Sequence, residues 1–183
     1  NVFLASQLAR VQGQSVAFPC DGEGRNAVHA AEIGWNVWSC DLSQVGVDKA
    51  CQLAQARGVD IEAIVGDAMT VDPGHQFDVV ALVFAHMPHE LRKTFHQRAW
   101  SWVRPGGWLI AEGFHKDQLG LTSGGPKDSA MLFDEHTLSN DVLAAPCEGT
   151  ILWQARCEQM LDEGPFHQGR GITCQWVLQK AAP

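Results

Sequence analysis

An apolar strand that runs into a glycine turn, which in turn opens a helix, sets the tightest limit on how this chain folds. Val16-Ala17-Phe18 reads as the strand, and Gly22 and Gly24 sit in the turn. Arg25 to Ile33 then carries Ala27, Val28, Ala31 and Ile33 on one helical face before Gly34 stops it. A second strand, Asn36 to Cys40, ends on Asp41, nineteen positions after Gly22. Glycine has no Cβ, so its backbone lets a ligand approach closely. A carboxylate at the tip of the second strand can accept both hydroxyl protons of a ribose. This is the spacing of a βαβ unit that takes an adenosine-containing cofactor.

The same alternation continues. Ser43 caps a predicted helix over Val47 to Arg57 that stops at Gly58, and Ile61 to Val65 is a third strand followed by Gly66-Asp67-Ala68. Phe77 to Phe84 is nearly all apolar, as a strand buried on both faces must be. Pro88 suits the first turn of a helix with Leu91, Phe95 and Ala99 spaced by four; Pro105-Gly106-Gly107 breaks it before a strand over Trp108 to Phe114. At the front of the chain, Leu4, Leu8 and Val11 give Val2 to Val11 a helical spacing. The chain's end differs. Ile151, Trp153, Ala155 and Cys157, and then Ile172, Cys174, Trp176 and Leu178, recur with period two and no helix between them. The expected fold class is α/β, a three-layer Rossmann-like sandwich around a mostly parallel sheet with a C-terminal antiparallel hairpin.

Bulk properties narrow the function. With 183 residues, 45% hydrophobic and 19% charged, the chain suits one globular domain. A net charge of −8 without any basic run argues against nucleic acid as a partner. Its apolar runs are shorter than the ~18 residues of a membrane span, and no signal peptide is visible. The six cysteines (Cys20, Cys40, Cys51, Cys147, Cys157 and Cys174) form no C-x-x-C pair, so no metal is expected. They read as reduced thiols of a cytoplasmic protein with no membrane partner. Core packing accounts for Trp100, Trp102, Trp108, Trp153 and Trp176.

Gly22-Glu23-Gly24-Arg25-Asn26-Ala27 satisfies G-x-G-x-x-G/A, so an NAD-linked oxidoreductase is one alternative. Against it, the chain has no tyrosine and no room for a second substrate domain. The succession of strand, Gly22 to Asn26, Asp41-Leu42-Ser43, Gly66-Asp67-Ala68 and Arg104-Pro105-Gly106-Gly107 resembles the class I S-adenosylmethionine-dependent methyltransferases. Four further pieces look like the tellurite-resistance and thiopurine-methyltransferase-like branch. They are Gly22 to Val28, Phe84-Ala85-His86-Met87-Pro88 with Leu91-Arg92, Gly124-Gly125-Pro126-Lys127, and Glu163-Gly164 through His167-Gln168-Gly169.

The resemblance implies a single methyltransferase-like domain over residues 1–183, a sheet of about seven strands, and S-adenosylmethionine as cofactor. It implies a small-molecule acceptor with a soft nucleophile, such as a thiol or an oxyanion. Cofactor contacts would come from Cys20, Asp21, Gly22, Gly24, Arg25 and Asn26, from Asp41 and Leu42 at the ribose, from Gly66, Asp67 and Ala68 at the adenine, and from Phe84 and Ala85. His86, Met87, Pro88 and His167 would face the substrate, with His86 in proton transfer or, alternatively, bonded to a loop carbonyl. Ser123 to Lys127 reads as either a lid or a connector.

The chain departs from the class pattern at one place. Phe18 stands where the class has an acid that helps hold the methionine ammonium, and Cys20 where it has a glycine. Asp21 is the nearest carboxyl to that turn. This departure motivates a third reading, a non-catalytic nucleoside-binding protein of the same fold.

Overall fold

A computed structural model describes residues 1–143, 148–164 and 167–182; Cys147 lies outside them. The chain runs α1 (Val2–Leu8), β1 (Ser15–Pro19), α2 (Arg25–Glu32), β2 (Asn36–Asp41), α3 (Gln44–Arg57), β3 (Glu62–Val65), β4 (Phe77–Val83), α4 (His89–Trp102), β5 (Val103–Phe114), α5 (Thr137–Val142), β6 (Gly149–Asp162) and β7 (Gln168–Lys180). Among the described residues the strands form one seven-stranded sheet in the order β3-β2-β1-β4-β5-β7-β6. The first five are parallel, and β7 is inserted antiparallel to both β5 and β6. This is the mixed sheet that the sequence periodicity predicts.

The apolar run of β4 has a direct cause. Val80 and Leu82 join a core with Phe95, Ala99 and Trp102 of α4, while Val79 and Ala81 face Leu4 and Leu8 of α1 and Ala27 and Ala30 of α2. Helices therefore cover both faces of the strand. At α3, the Ser43 hydroxyl accepts the Gly46 amide at 3.1 Å, and Gly58 ends the helix at φ 68°.

Three expectations need correction. The fifth strand, expected from Trp108, already starts at Val103; Pro105-Gly106-Gly107 lies within it, and the irregularity appears as a register shift against Phe77 and Val79. Trp153 is not core: it is 49% exposed, because β6 is an edge strand and its register slips between Ile151 and Trp153. Trp108 is half-buried, whereas Trp100, Trp102 and Trp176 are buried as expected. The Ser123 to Lys127 loop is tied down at its first two residues. Ser123 donates to the Arg170 carbonyl at 2.5 Å, and Gln118 donates to the Ser123 hydroxyl at 2.9 Å and the Gly124 carbonyl at 3.1 Å.

Glu112, on β5 and 2% exposed, anchors the carboxyl end of the sheet's antiparallel half. Its Oε1 accepts from Gln159, Thr173 and Gln175 at 2.6–2.9 Å, and its Oε2 accepts from the Asn1 side chain at 2.7 Å. A buried carboxylate is tolerable only with such a full set of donors. Here they tie the start of α1 to β5, β6 and β7. A second buried set joins α4 to α5, where Asp141 accepts from Arg92 at 2.9 Å and His96 at 2.8 Å.

Candidate active site

The sheet builds outward from β1 through β2 to β3, and the chain then returns to place β4 on the other side of β1. Loops leaving β1 and β4 therefore diverge, and a crevice opens beyond their carboxyl ends. A cleft of about 630 Å³ occupies that place. Its floor is the β1–α2 turn, its wall Val83 and Phe84, and its far rim Asp162 to Gly164 with His167.

The turn is held by Asp41. Its Oδ2 accepts the Gly22 amide at 2.8 Å and its Oδ1 the Ser43 amide at 2.9 Å. Gly22 (φ 61°) leaves open space where a side chain would stand, and Gly24 (φ 78°) presses so closely on α3 that a Cβ there would land on the Ala50 methyl. Cys20, at φ 62°, takes a left-handed conformation without being glycine. Burial pushes its thiol up to about 12, and the neighbouring Cys40, Asp41, Asp67 and Asp21 add to the shift. Cys20 is thus a neutral wall, with three carboxyls gathered around it.

Asp21 lines the cleft beside Gly22. Among the described residues its Oδ2 is the buried side-chain oxygen with no hydrogen-bond partner. Burial drives its carboxyl up to about 8, against the lowering effect of the nearby Ala27 amide.

A strap crosses from α2 to the β6–β7 connection. Arg25 donates to the Glu163 carbonyl at 2.7 Å, and the Asn1 side chain donates to the Glu163 carboxylate at 2.6 Å. Burial raises the Glu163 carboxyl. Opposite, Phe84 turns at φ 53° and its ring lies 4.7 Å from Phe114 and 4.5 Å from His167, measured between centroids. Burial and then Arg25 lower the pKa of His167, so its imidazole is neutral at neutral pH.

The structure brings Cys20, Asp21, Gly22, Arg25, Asn26, Phe84 and His167 to the cleft, all named from sequence. Gly24 and Asp41 brace the turn from behind. Asp67 bonds the Met69 amide at 2.8 Å, beside Cys20 but outside the cleft lining, with Gly66 and the buried Ala68 next to it. Leu42 is 71% exposed.

His86, Met87 and Pro88 do not reach the cleft, nor does the buried Ala85. His86 sits between Phe114 and Phe133, with its Nδ1 2.8 Å from the Met131 carbonyl and its Nε2 accepting the Phe114 amide at 3.0 Å. These partners fix one neutral tautomer, and burial lowers its pKa to about 4. Both ring nitrogens are engaged, so the expected proton-transfer role gives way to the alternative of a ring bonded to a loop carbonyl. Met87 packs on the core, and Pro88 caps α4.

Sequence reasoning did not name Asn1, Glu23, Val83, Asp162, Glu163 and Gly164 as site residues. The Glu163-Gly164 piece of the branch resemblance was the one signal for that rim. The strap that carries these residues into the cleft depends on side-chain bonds between ends of the chain, which no local spacing reveals.

Residues 19–107 match the family described as methyltransferase domain. The tRNA 5-carboxymethoxyuridine methyltransferase of Escherichia coli K12 is 37% identical over 92 residues, 48% of this chain and 35% of that protein. The chain thus spans about a third of the length of the curated relatives it matches. TehB from Haemophilus influenzae superposes with a TM-score of 0.77 at 12% identity, over 98% of this chain and 62% of that one. The N-methyltransferase NodS from Bradyrhizobium japonicum does so with a TM-score of 0.73 at 12% identity, over 98% and 93%; that protein has also been solved with S-adenosyl-L-homocysteine. The match of residues 19–107 to the methyltransferase-domain family and the fold shared along nearly the whole chain with TehB and NodS point to the same class of protein.

Proposed function

We propose that this domain transfers a methyl group from S-adenosylmethionine to a small-molecule acceptor held in the β1–β4 cleft. The side-chain-free space at Gly22 and the unpartnered Asp21 oxygen fit a nucleoside carrying an amino-acid end. When bound, the cofactor supplies a methyl on a positively charged sulfur with a good leaving group. The protein's own tasks are then alignment and the exclusion of water. Gly22 lets the cofactor approach the backbone closely, Gly24 and Asp41 brace the turn, Asp41 also receiving the ribose hydroxyls, and Asp67 lies at the adenine end. The first-turn amides of α2 meet a carboxylate. Phe84 and His167 face the acceptor, and a neutral His167 orients it or takes the proton of one that arrives protonated.

The observation that favours a small acceptor is the charge of the cleft. Glu23, Asp162 and Glu163 line it beside the protonated Asp21, with Arg25 as the one Lys or Arg among the lining residues. Such a lining repels a phosphate backbone. A second reading, an RNA acceptor, is favoured by the 37% identity to the tRNA methyltransferase. Incubation with methyl-labelled S-adenosylmethionine and a cell extract separates the two. Label in the low-mass fraction is the expected result, and label that follows RNA and vanishes with ribonuclease would overturn it.

Cofactor choice is tested by thermal shift. Saturating S-adenosylhomocysteine raises Tm by about 5–10 °C, whereas NAD leaves it unchanged. Asp41→Ala abolishes the shift. A shift with NAD alone would overturn the reading.

A further inference from the structure

The class's usual acid is missing because Phe18 fills its place, and Phe18 is a fully buried core side chain at 1% exposure. Something else must receive the cationic amino group of a methionine end, and the carboxyls around the cleft differ in what they have free. Asp41 holds the Gly22 and Ser43 amides. Glu23 is paired with Lys49 at 2.6 Å on the exposed side of the turn. Glu163 holds the Asn1 side chain across the cleft. Asp21 alone keeps a buried oxygen without a donor, one residue from the glycine turn.

We propose that Asp21 receives the ammonium group of the cofactor's methionine part and releases its own proton to solvent as it does so. This rests on the cofactor reading above and deepens it. An ammonium brings three donors and a full positive charge. It satisfies the orphaned oxygen and removes the reason for the carboxyl to stay neutral, because an opposite charge within a few ångströms favours the ionised form. The other charged groups facing Asp21 are Asp41 from β2 and Arg25 from α2. Asp41 opposes ionisation, and the Arg25 guanidinium favours it. The Cys20 and Cys40 thiols beside it stay protonated far above neutral pH. With burial holding that carboxyl protonated up to about 8, each bound cofactor displaces one proton below that pH.

Calorimetric titration with S-adenosylhomocysteine, in two buffers of different ionisation enthalpy at about pH 6, reads this directly. Wild-type protein releases about one proton per ligand, and affinity rises about tenfold per pH unit between about pH 5 and 7. The nucleoside 5′-methylthioadenosine, which lacks the amino-acid end, releases none. Asp21→Asn abolishes the proton release and weakens S-adenosylhomocysteine at least tenfold, while it changes 5′-methylthioadenosine affinity less than about twofold. Wild-type binding of S-adenosylhomocysteine without proton release would overturn the proposal whatever the variant does, as would an Asp21→Asn protein that still releases the proton. Failure of both ligands to bind wild-type protein at any pH would instead bring down the cofactor reading together with this one.

Discussion

Two loops leave neighbouring parallel strands at the same edge of the sheet, and they are built to opposite ends. The β1–α2 turn and the β4–α4 connection each contain a non-glycine residue at positive φ, Cys20 at 62° and Phe84 at 53°. Each also has a buried titratable group whose burial favours the neutral form. In the β4–α4 loop that neutrality is compatible with full pairing, because both nitrogens of His86 have partners and aromatic rings lie alongside. In the β1–α2 turn it is frustrated. Asp21 keeps an oxygen without a donor beside a stretch of bare backbone. A buried polar group left unsatisfied is a reservoir of free energy that a ligand can release. The β1–α2 turn is thus the proposed receptor and the β4–α4 loop a wall, although sequence spacing alone presents both as candidate sites.

The largest effect that separates the two loops is on the unliganded protein. Unfolded chain loses the Asp21 proton near 3.8, whereas the fold holds it up to about 8. Between those values the folded state binds the extra proton, so stability falls as pH rises. The loss is on the order of 5 kcal/mol by pH 8. Asp21→Asn removes it. Urea denaturation is expected to show variant and wild type close together near about pH 4, and the variant the more stable by on the order of 5 kcal/mol near pH 8. Parallel curves across this range would mean that the turn stores no such strain and is not the receptor it is taken for. The stabilised variant would also bind cofactor more weakly, the usual trade between stability and a functional site.

Bare backbone is the other half of that difference. Gly24→Ala forces a side chain into a left-handed conformation and onto the Ala50 methyl of α3. Strain and overpacking together cost about 3 kcal/mol, read as a lowered urea midpoint with the slope unchanged. A loss under about 0.5 kcal/mol would show that α3 gives way freely and that the turn is not fixed by packing.

What the sequence disclosed follows from how local each feature is. The βαβ unit was legible because one short segment contains its strand, turn, helix and tip acid, and Gly22, Gly24 and Asp41 lie together in the fold as their spacing requires. The antiparallel end was legible because a period of two over β6 and β7 leaves no room for a crossover helix. Trp153 misled because the register slip in β6 undoes strict alternation, and alternation does not say which strand lies at the edge. His86 misled for a different reason. Its position after β4 was read correctly, but the direction of its ring depends on Met131 and Phe114, far away in sequence. The rim at Asp162 to Gly164 was missed on the same ground, since Arg25 and Asn1 fix it from the opposite end of the chain.

The smallest effect tests the wall. His86 titrates near 4 in the fold and near 6.5 when unfolded. Between these values the unfolded chain holds the extra proton, so the stability from the buried neutral ring is complete above about 6.5 and is lost as pH falls toward 4. From about pH 7 to 5 wild-type protein should lose about 2 kcal/mol through this group. His96, also lowered by burial, adds a loss of the same sign, so the informative quantity is the difference between wild type and His86→Asn. Asparagine does not titrate there, and the variant should lack the His86 share of the acid loss while its thermal shift with S-adenosylhomocysteine persists. If instead the acid loss is unchanged and the ligand shift disappears, the imidazole faces the cleft after all, and the contrast between receptor and wall fails at the β4–α4 loop.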